Sequence, residues 1–140
     1  MTRPIVIAAG GTGGHFFPAE ALAAELLRRG QRIALMTDAR SADYGSAVFA
    51  NAERFVLQGA GLAGRGAVRA AKGAAALLAG TMQARKLLLR LKPQAVVGFG
   101  GYPCVPPLLA ARMVGGQRPA TVLHEQNAVL GRANRLLSRG

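Results

Sequence analysis

The sequence predicts an α/β fold, a parallel sheet flanked by crossover helices, and three observations carry that prediction. Short apolar runs alternate with longer segments of helical pattern, as expected when each strand is followed by a helix that returns across the sheet. Glycine-rich stretches follow two of the runs, at Gly10 to Gly14 and at Gly98 to Gly101, where a chain leaving a strand must turn sharply. A hydrophobic content of 51% over 140 residues supports one domain, residues 1–140, with a real core, and is short for a two-domain enzyme.

Taken in order, Pro4 to Ala9 reads as the first strand and the glycines from Gly10 break it. Residues from Phe17 to Arg29 are rich in Ala, Leu and Glu, and Gly30 makes a fitting helix stop. Arg32 to Thr37 forms a second strand, Phe55 to Leu57 a third, Ala95 to Phe99 a fourth and Ala120 to His124 a fifth, each bounded by Gly, Pro or polar residues. Between the third and fourth, Gly66 to Leu91 has helical composition. Gly73 and Gly80 each cost such a helix about 1 kcal/mol relative to alanine, so the segment is expected to break into two pieces. A further helical run spans Leu108 to Val114.

Charge is uneven. Residues 1–53 carry five acids and five bases, whereas Arg54 to His124 carry ten Lys or Arg and no Asp or Glu, and the net charge is +12. A one-sign field favours a polyanionic partner: an anionic bilayer, a pyrophosphate-bearing substrate or nucleic acid. At 100° per residue Arg65, Arg69, Lys72, Gln83, Lys86 and Arg90 fall on one helical face, with Leu77, Thr81, Ala84 and Leu88 largely opposite. One face can then pack on the sheet while Arg69, Lys72, Lys86 and Arg90 meet a membrane, flanked by Val68, Met82 and Leu89 at the acyl boundary. Aromatic content of 5% without a recognised binding motif argues against nucleic acid. The single cysteine, Cys104, excludes an intramolecular disulfide, no Cys/His cluster offers a metal site, and a reducing compartment is expected. The start of the chain is neither a signal peptide nor a run of about twenty apolar residues.

Three segments carry candidate chemistry. The first is Val6-Ile7-Ala8-Ala9-Gly10-Gly11-Thr12-Gly13-Gly14-His15, in which glycine backbone and the N-H groups of a following helix suit an anion. It lacks the Gly-Lys-Ser/Thr of a Walker loop. The dinucleotide fingerprint matches only in part, since its third glycine falls at Phe16, although Asp38 at the end of the second strand keeps a ribose-binding alternative open. His15, at the helix start, is a candidate base or ligand contact. The second segment, Gly98-Phe99-Gly100-Gly101-Tyr102-Pro103-Cys104-Val105-Pro106-Pro107, repeats the strand, loop and helix logic, so both loops are expected to line one cleft at the carboxyl ends of the strands. Tyr102 offers a hydroxyl or a stacking face, and Cys104 a packing role in preference to a nucleophile. The third, Thr121 to Asn134, ends an apolar strand in His124-Glu125-Gln126-Asn127. Polar side chains after a buried strand are costly unless they meet a ligand or one another. Glu125 is a candidate base or histidine orienter, and Gln126, Asn127 and Asn134 are candidates for sugar hydroxyls; His124 reads as structural, and loop and helix capping is the plain alternative for the cluster.

Together, Gly10-Gly11-Thr12-Gly13-Gly14-His15 with Pro18-Ala19, Gly100-Gly101-Tyr102-Pro103 with Pro106, and His124-Glu125-Gln126-Asn127 with Gly131 and Asn134 resemble the MurG family in order and spacing. The resemblance implies a Rossmann-like N-terminal half of a two-domain GT-B glycosyltransferase, with the C-terminal donor domain outside this chain and little turnover by the chain alone. It implies transfer of N-acetylglucosamine from UDP-N-acetylglucosamine to the 4-hydroxyl of lipid I, undecaprenyl-pyrophosphoryl-N-acetylmuramyl-pentapeptide, with inversion, to give lipid II at the cytoplasmic face of the bacterial inner membrane. No metal and no cofactor are implied. Thr12, Gly13, Gly14 and Asn127 resemble residues reaching the donor, His15 the base or acceptor contact, and Tyr102, Glu125 and Asn134 further acceptor-site or catalytic residues. Cys104 departs from the pattern, standing where serine is common. A competing reading is a noncatalytic membrane-binding or lipid-carrier module partnered by a separate donor-binding subunit.

Overall fold

The computed structural model describes residues 2–10, 13–41, 45–58 and 66–139. Along the chain run β1 (Ile5–Ala8), α1 (Gly13–Arg28), β2 (Ile33–Asp38), β3 (Glu53–Leu57), α2 (Ala67–Leu91), β4 (Ala95–Gly98), a 3₁₀ turn (Tyr102–Cys104), α3 (Val105–Arg112), β5 (Ala120–Leu123) and α4 (Arg132–Leu137). The strands form one parallel sheet in the order β3-β2-β1-β4-β5, so chain direction across the sheet reverses between β1 and β4.

Period-two alternation sorts the apolar side chains to the two faces. Val6, Ala8, Ala34, Met36 and Val96 point into one core with Ala84 and Leu88 of α2, Leu108 of α3 and Leu137 of α4. Ile7, Ala9, Leu35, Val97 and Phe99 point into the other with Phe16, Ala19 and Ala23 of α1 and with Phe49, whose ring meets Phe16 edge-on at 5.6 Å.

Four expectations change. α1 starts at Gly13, not near Phe17, because N-H groups of a first helical turn lack intrahelical partners anyway and the glycines there forfeit little. α3 likewise starts at Val105 with Pro106 and Pro107 in its first turn, the one part of a helix that tolerates proline. α2 is unbroken over 25 residues: Gly73 and Gly80 both lie on its buried face, and Gly80 lets it approach the end of β3, where a Cβ would collide with the Gln58 carbonyl. Tertiary packing outweighs propensity there. Finally, β5 is an edge strand with Ala120, Thr121 and Val122 exposed, not the buried strand expected.

The packing face of α2 follows the helical wheel. Thr81, Ala84 and Leu88 are buried, while Arg69, Lys72, Lys86 and Arg90 are exposed, as are Val68, Leu78, Met82 and Leu89. No helix among the described residues is long and apolar enough to cross a membrane.

Candidate functional site

The sheet's hydrogen bonding runs one residue past the strand ends, with Ala9 N-H donating to Met36 O (3.2 Å), Phe99 N-H to Ala8 O (3.1 Å) and His124 N-H to Gly98 O (2.8 Å). Three loops therefore leave the sheet side by side at its carboxyl edge, as expected for a crevice at the point where strand order reverses. Gly100 and Gly101 have φ of 93° and 73°, and their backbone lies under the His15 ring. A Cβ at Gly100 would stand 3.2 Å from His15 Cδ2, 3.3 Å from Nε2 and 3.5 Å from Asn134 Nδ2; one at Gly101 would stand 3.4 Å from Cε1 and Nδ1. Residues of all three segments thus meet at one glycine pair, in a backbone conformation that other residues rarely adopt.

Glu125 organises the third loop. Oε1 accepts the backbone N-H and the Nδ2 of Asn127, both at 3.1 Å, and Oε2 accepts the Gly131 N-H at 2.8 Å and Asn134 Nδ2 at 3.2 Å. The Gly131 and Asn127 amides outweigh the opposing effect of burial and, with lesser help from the Asn134 and Asn127 side chains, hold its carboxyl down at about 2. Asn134 is 1% exposed and also donates to His124 O at 3.0 Å, which ties α4 to the end of β5. Its Oδ1 and His124 Nδ1 are buried polar atoms without a hydrogen-bond partner, while the His124 ring rests on Phe99 at 5.1 Å. Of the sequence candidates, His15, Glu125, Asn127 and Asn134 come together here. Gly14 lies in the first turn of α1 and Gly13 begins it; Gly11 and Thr12 lie outside the described residues. Tyr102 is half-buried and packs against the core beneath α2 and α3.

Two alternative roles lose their support. Asp38 is buried and accepts the Ser41 N-H at 3.2 Å and Arg40 Nε at 3.1 Å, so its carboxylate closes its own turn instead of awaiting a ribose. Cys104 is fully buried, donates its thiol to Gly101 O at 2.9 Å, and is pushed up to about 11 by burial; it braces the glycine loop and is no nucleophile. Among the described residues no group of three His, Cys, Asp or Glu side chains could hold a metal.

Electrostatically, the acids of the first third are mostly engaged nearby: Glu25 with Arg28 and Arg29, Asp38 with Arg40, Glu53 with Arg32. The downstream cations keep their excess. The reading from sequence placed Gly131 in the family pattern but gave it no role; its backbone N-H is the leading influence on Glu125, and a backbone donor leaves no mark in side-chain composition. Chemically, the site offers an imidazole against bare backbone, a helix start with no acid in its first turn, and a rigid amide-rich loop. These features suit a polyhydroxyl ligand carrying phosphate.

A model of the glycosyltransferase family 28 N-terminal domain matches residues 5–140. Among curated relatives, the UDP-N-acetylglucosamine–N-acetylmuramyl-(pentapeptide) pyrophosphoryl-undecaprenol N-acetylglucosamine transferase of Granulibacter bethesdensis is 65% identical over 137 residues, 98% of this chain and 35% of the relative. The transferase of the same name from Acidiphilium cryptum is 66% identical over 139 residues, 99% of this chain and 38% of the relative. The crystal structure of Acinetobacter baumannii MurG superposes with a TM-score of 0.82 at 34% identity, covering 99% of this chain and 39% of that one. That of the calicheamicin glycosyltransferase CalG4 gives 0.58 at 25% identity, covering 99% and 37%. The chain spans little more than a third of the length of these proteins.

Proposed function

This chain belongs to glycosyltransferase family 28, as its N-terminal domain, and on that premise we propose that it is the acceptor-side part of an inverting transferase. The reaction moves N-acetylglucosamine from UDP-N-acetylglucosamine to the 4-hydroxyl of lipid I and yields lipid II and UDP. The donor nucleotide is held mostly by a second domain outside this chain. The observation that carries the reading is the His15 imidazole set against the Gly100-Gly101 backbone where three loops meet.

In this mechanism the acceptor's 4-hydroxyl oxygen attacks C1 of the donor sugar from the face opposite UDP. The bond from C1 to the phosphate oxygen breaks, its electron pair leaves with UDP, and the configuration at C1 inverts. His15 takes the hydroxyl proton as the new bond forms, a role worth about 10² to 10⁴ in rate. Glu125 serves as a positioning residue: a carboxylate held near 2 and engaged by four donors is a feeble base at neutral pH. It sets Asn127 toward the donor, while Asn134, which the resemblance offered as an acceptor contact, is buried and instead ties His124 and Glu125 together behind the site. Thr12, Gly13 and Gly14 meet the donor's pyrophosphate at the start of α1, and Tyr102 contacts the acceptor. The basic face of α2, with Arg69, Lys72, Lys86, Arg90 and Met82, rests on the anionic cytoplasmic surface of the inner membrane, so the enzyme is peripheral. Nucleic acid has no part in it.

The test is transfer of labelled N-acetylglucosamine to lipid I, or a short-chain analogue, by the protein carrying both domains. His15→Ala should lose at least about 100-fold in kcat, and Glu125→Gln, which keeps an acceptor oxygen, should retain more activity than Glu125→Ala. Acceptor binding without transfer by the unaltered protein would favour the noncatalytic carrier reading. Glu125→Gln as inactive as His15→Ala, with its loop intact, would make Glu125 the base.

A further inference from the structure

The segment that follows β5 is a loop fixed from several sides. Glu125 accepts the Asn127 N-H on one carboxylate oxygen and the Gly131 N-H on the other, so one side chain closes residues 125–131 into a hydrogen-bonded ring. Arg135 of α4 donates Nη2 to Leu130 O at 3.2 Å, and Asn134 holds the base of the loop through His124 O at 3.0 Å. At its outer end the loop puts two aliphatic side chains in water, Val129 at 70% and Leu130 at 41% exposure. Much of the loop's backbone freedom is therefore lost before any partner arrives, which lowers the entropic cost of docking on it.

We infer that Val129 and Leu130 form a latch on which the donor-binding domain of the same protein closes, covering both side chains with apolar surface of its own. The inference rests on the two-domain transferase reading and deepens it by naming where the second domain meets this one. Asn127 is set toward the donor, and the second domain holds the donor nucleotide. With substrate bound, that domain stands no farther from Asn127 than the thickness of the sugar between them. Val129 lies two residues along the same pinned loop and Leu130 three, within about 7 Å and 11 Å of Asn127 at full extension. A domain that brings the donor to Asn127 therefore meets these two side chains. The relatives, of which this chain spans little more than a third, have the length for such a domain. Place argues against lipid as the occupant: the loop leaves the carboxyl edge of the sheet beside His15, whereas the basic and apolar face is that of α2, packed on the sheet through Ala84 and Leu88. Because Asn127 and the latch share one rigid loop, closure on Val129 and Leu130 also delivers the donor to Asn127.

The experiment uses the protein carrying both domains and a soluble short-chain acceptor, which keeps membrane binding out of the readout. Covering the exposed parts of the two side chains favours the closed form about 30-fold. Val129→Ala/Leu130→Ala should therefore lower kcat/KM for UDP-N-acetylglucosamine about 30-fold and abolish the decrease in radius of gyration that the donor causes in small-angle scattering. Val129→Ile/Leu130→Met keeps the apolar volume and should restore both. Leu27→Ala/Val56→Ala removes the same residue types from exposed positions on α1 and β3 and should change kcat/KM less than about two-fold. Circular dichroism checks that all variants keep their helix content. A latch variant that behaves as the control pair does, with transfer by the unaltered protein intact, would overturn the latch and leave the transferase reading standing. Lost transfer with donor-induced compaction undiminished would also overturn it and give Val129 and Leu130 to the acceptor. An unaltered protein that neither transfers nor compacts with donor would overturn the two-domain reading, and the latch with it.

Discussion

Gly80→Ala sets helix propensity against packing and gives each a different sign. In an isolated helix the change stabilises by about 1 kcal/mol. In this fold a Cβ at residue 80 would overlap the Gln58 carbonyl oxygen, stand 2.9 Å from its carbon and 3.4 Å from Pro106 Cγ. The carbonyl is backbone at the end of β3 and has no rotamer to escape through. The oxygen would lie only 1.8 Å from the added carbon, so restoring an ordinary contact of about 3.5 Å separates α2 from the end of β3 by roughly 1.7 Å. That shift stretches the 2.9 Å bond between Gln58 and Gln83 beyond hydrogen-bonding range. Overpacking costs about 1–3 kcal/mol and the lost bond about 1 kcal/mol; less the propensity gain, the net is a destabilisation of about 2 kcal/mol. For a chain of this size the midpoint should fall by about 4–8 °C. Thermal and urea unfolding followed by circular dichroism reads it, with Gly115→Ala, where an added Cβ meets nothing within 4 Å, as a control that leaves the midpoint unchanged or slightly raised. A Gly80→Ala protein that melts at or above the parent would refute the packing argument.

Glu125 should stay ionised well below the usual carboxylate range. Its carboxyl is lowered from 4.5 to about 2 in the fold, so the loop stabilisation it provides is complete above about 4.5 and fades as pH falls toward 2; amide shifts of Asn127 and Gly131 that titrate near 4.5 would contradict this. Cys104, raised to about 11 and buried, should react with a disulfide reagent at pH 8 only at the rate of unfolding, and stoichiometric labelling within seconds under native conditions would refute it. Gly101→Ala should cost about 1–3 kcal/mol, because φ 73° with ψ 168° lies in a region open essentially only to glycine, and should displace His15, lowering kcat/KM of the two-domain enzyme at least about ten-fold; unchanged kinetics would remove the glycine pair from the site.

Much of this architecture is legible in the residues. The strand runs, bounded by Gly, Pro or polar positions, reappear as β1 to β5, and the spacing of Thr81, Ala84 and Leu88 marks the face that α2 buries. The meeting of three segments at one end of the sheet follows from parallel strands followed by loops. What was not legible depends on distances between remote segments. Gly80 looks like a helix breaker until the Gln58 carbonyl is seen across from it. Glu125 reads equally well as base or as scaffold until the Gly131 amide, brought back by the course of the loop, is found on its second oxygen. The exposure of β5 depends on what lies beside it in space, which strand composition does not encode.

The place of β1 in the sheet has a consequence for synthesis. It is hydrogen-bonded on one side to β2 and on the other to β4, so its two partners reach it at different times. Once Asp38 has emerged, β1 and β2 can pair, but residues 39–94 must follow before Ala95 begins the second partner. At about 5–20 residues per second this leaves the side of β1 facing the future β4 open for about 3 to 11 s. Throughout that interval the most apolar strand of the molecule is an edge, with its hydrogen-bonding groups unmatched on one side, competent to pair with any extended chain it meets. The order of the strands therefore makes the nascent chain most vulnerable to misassembly while α2 is being made, and a chaperone that shields residues 5–8 during that window would act where the need is greatest.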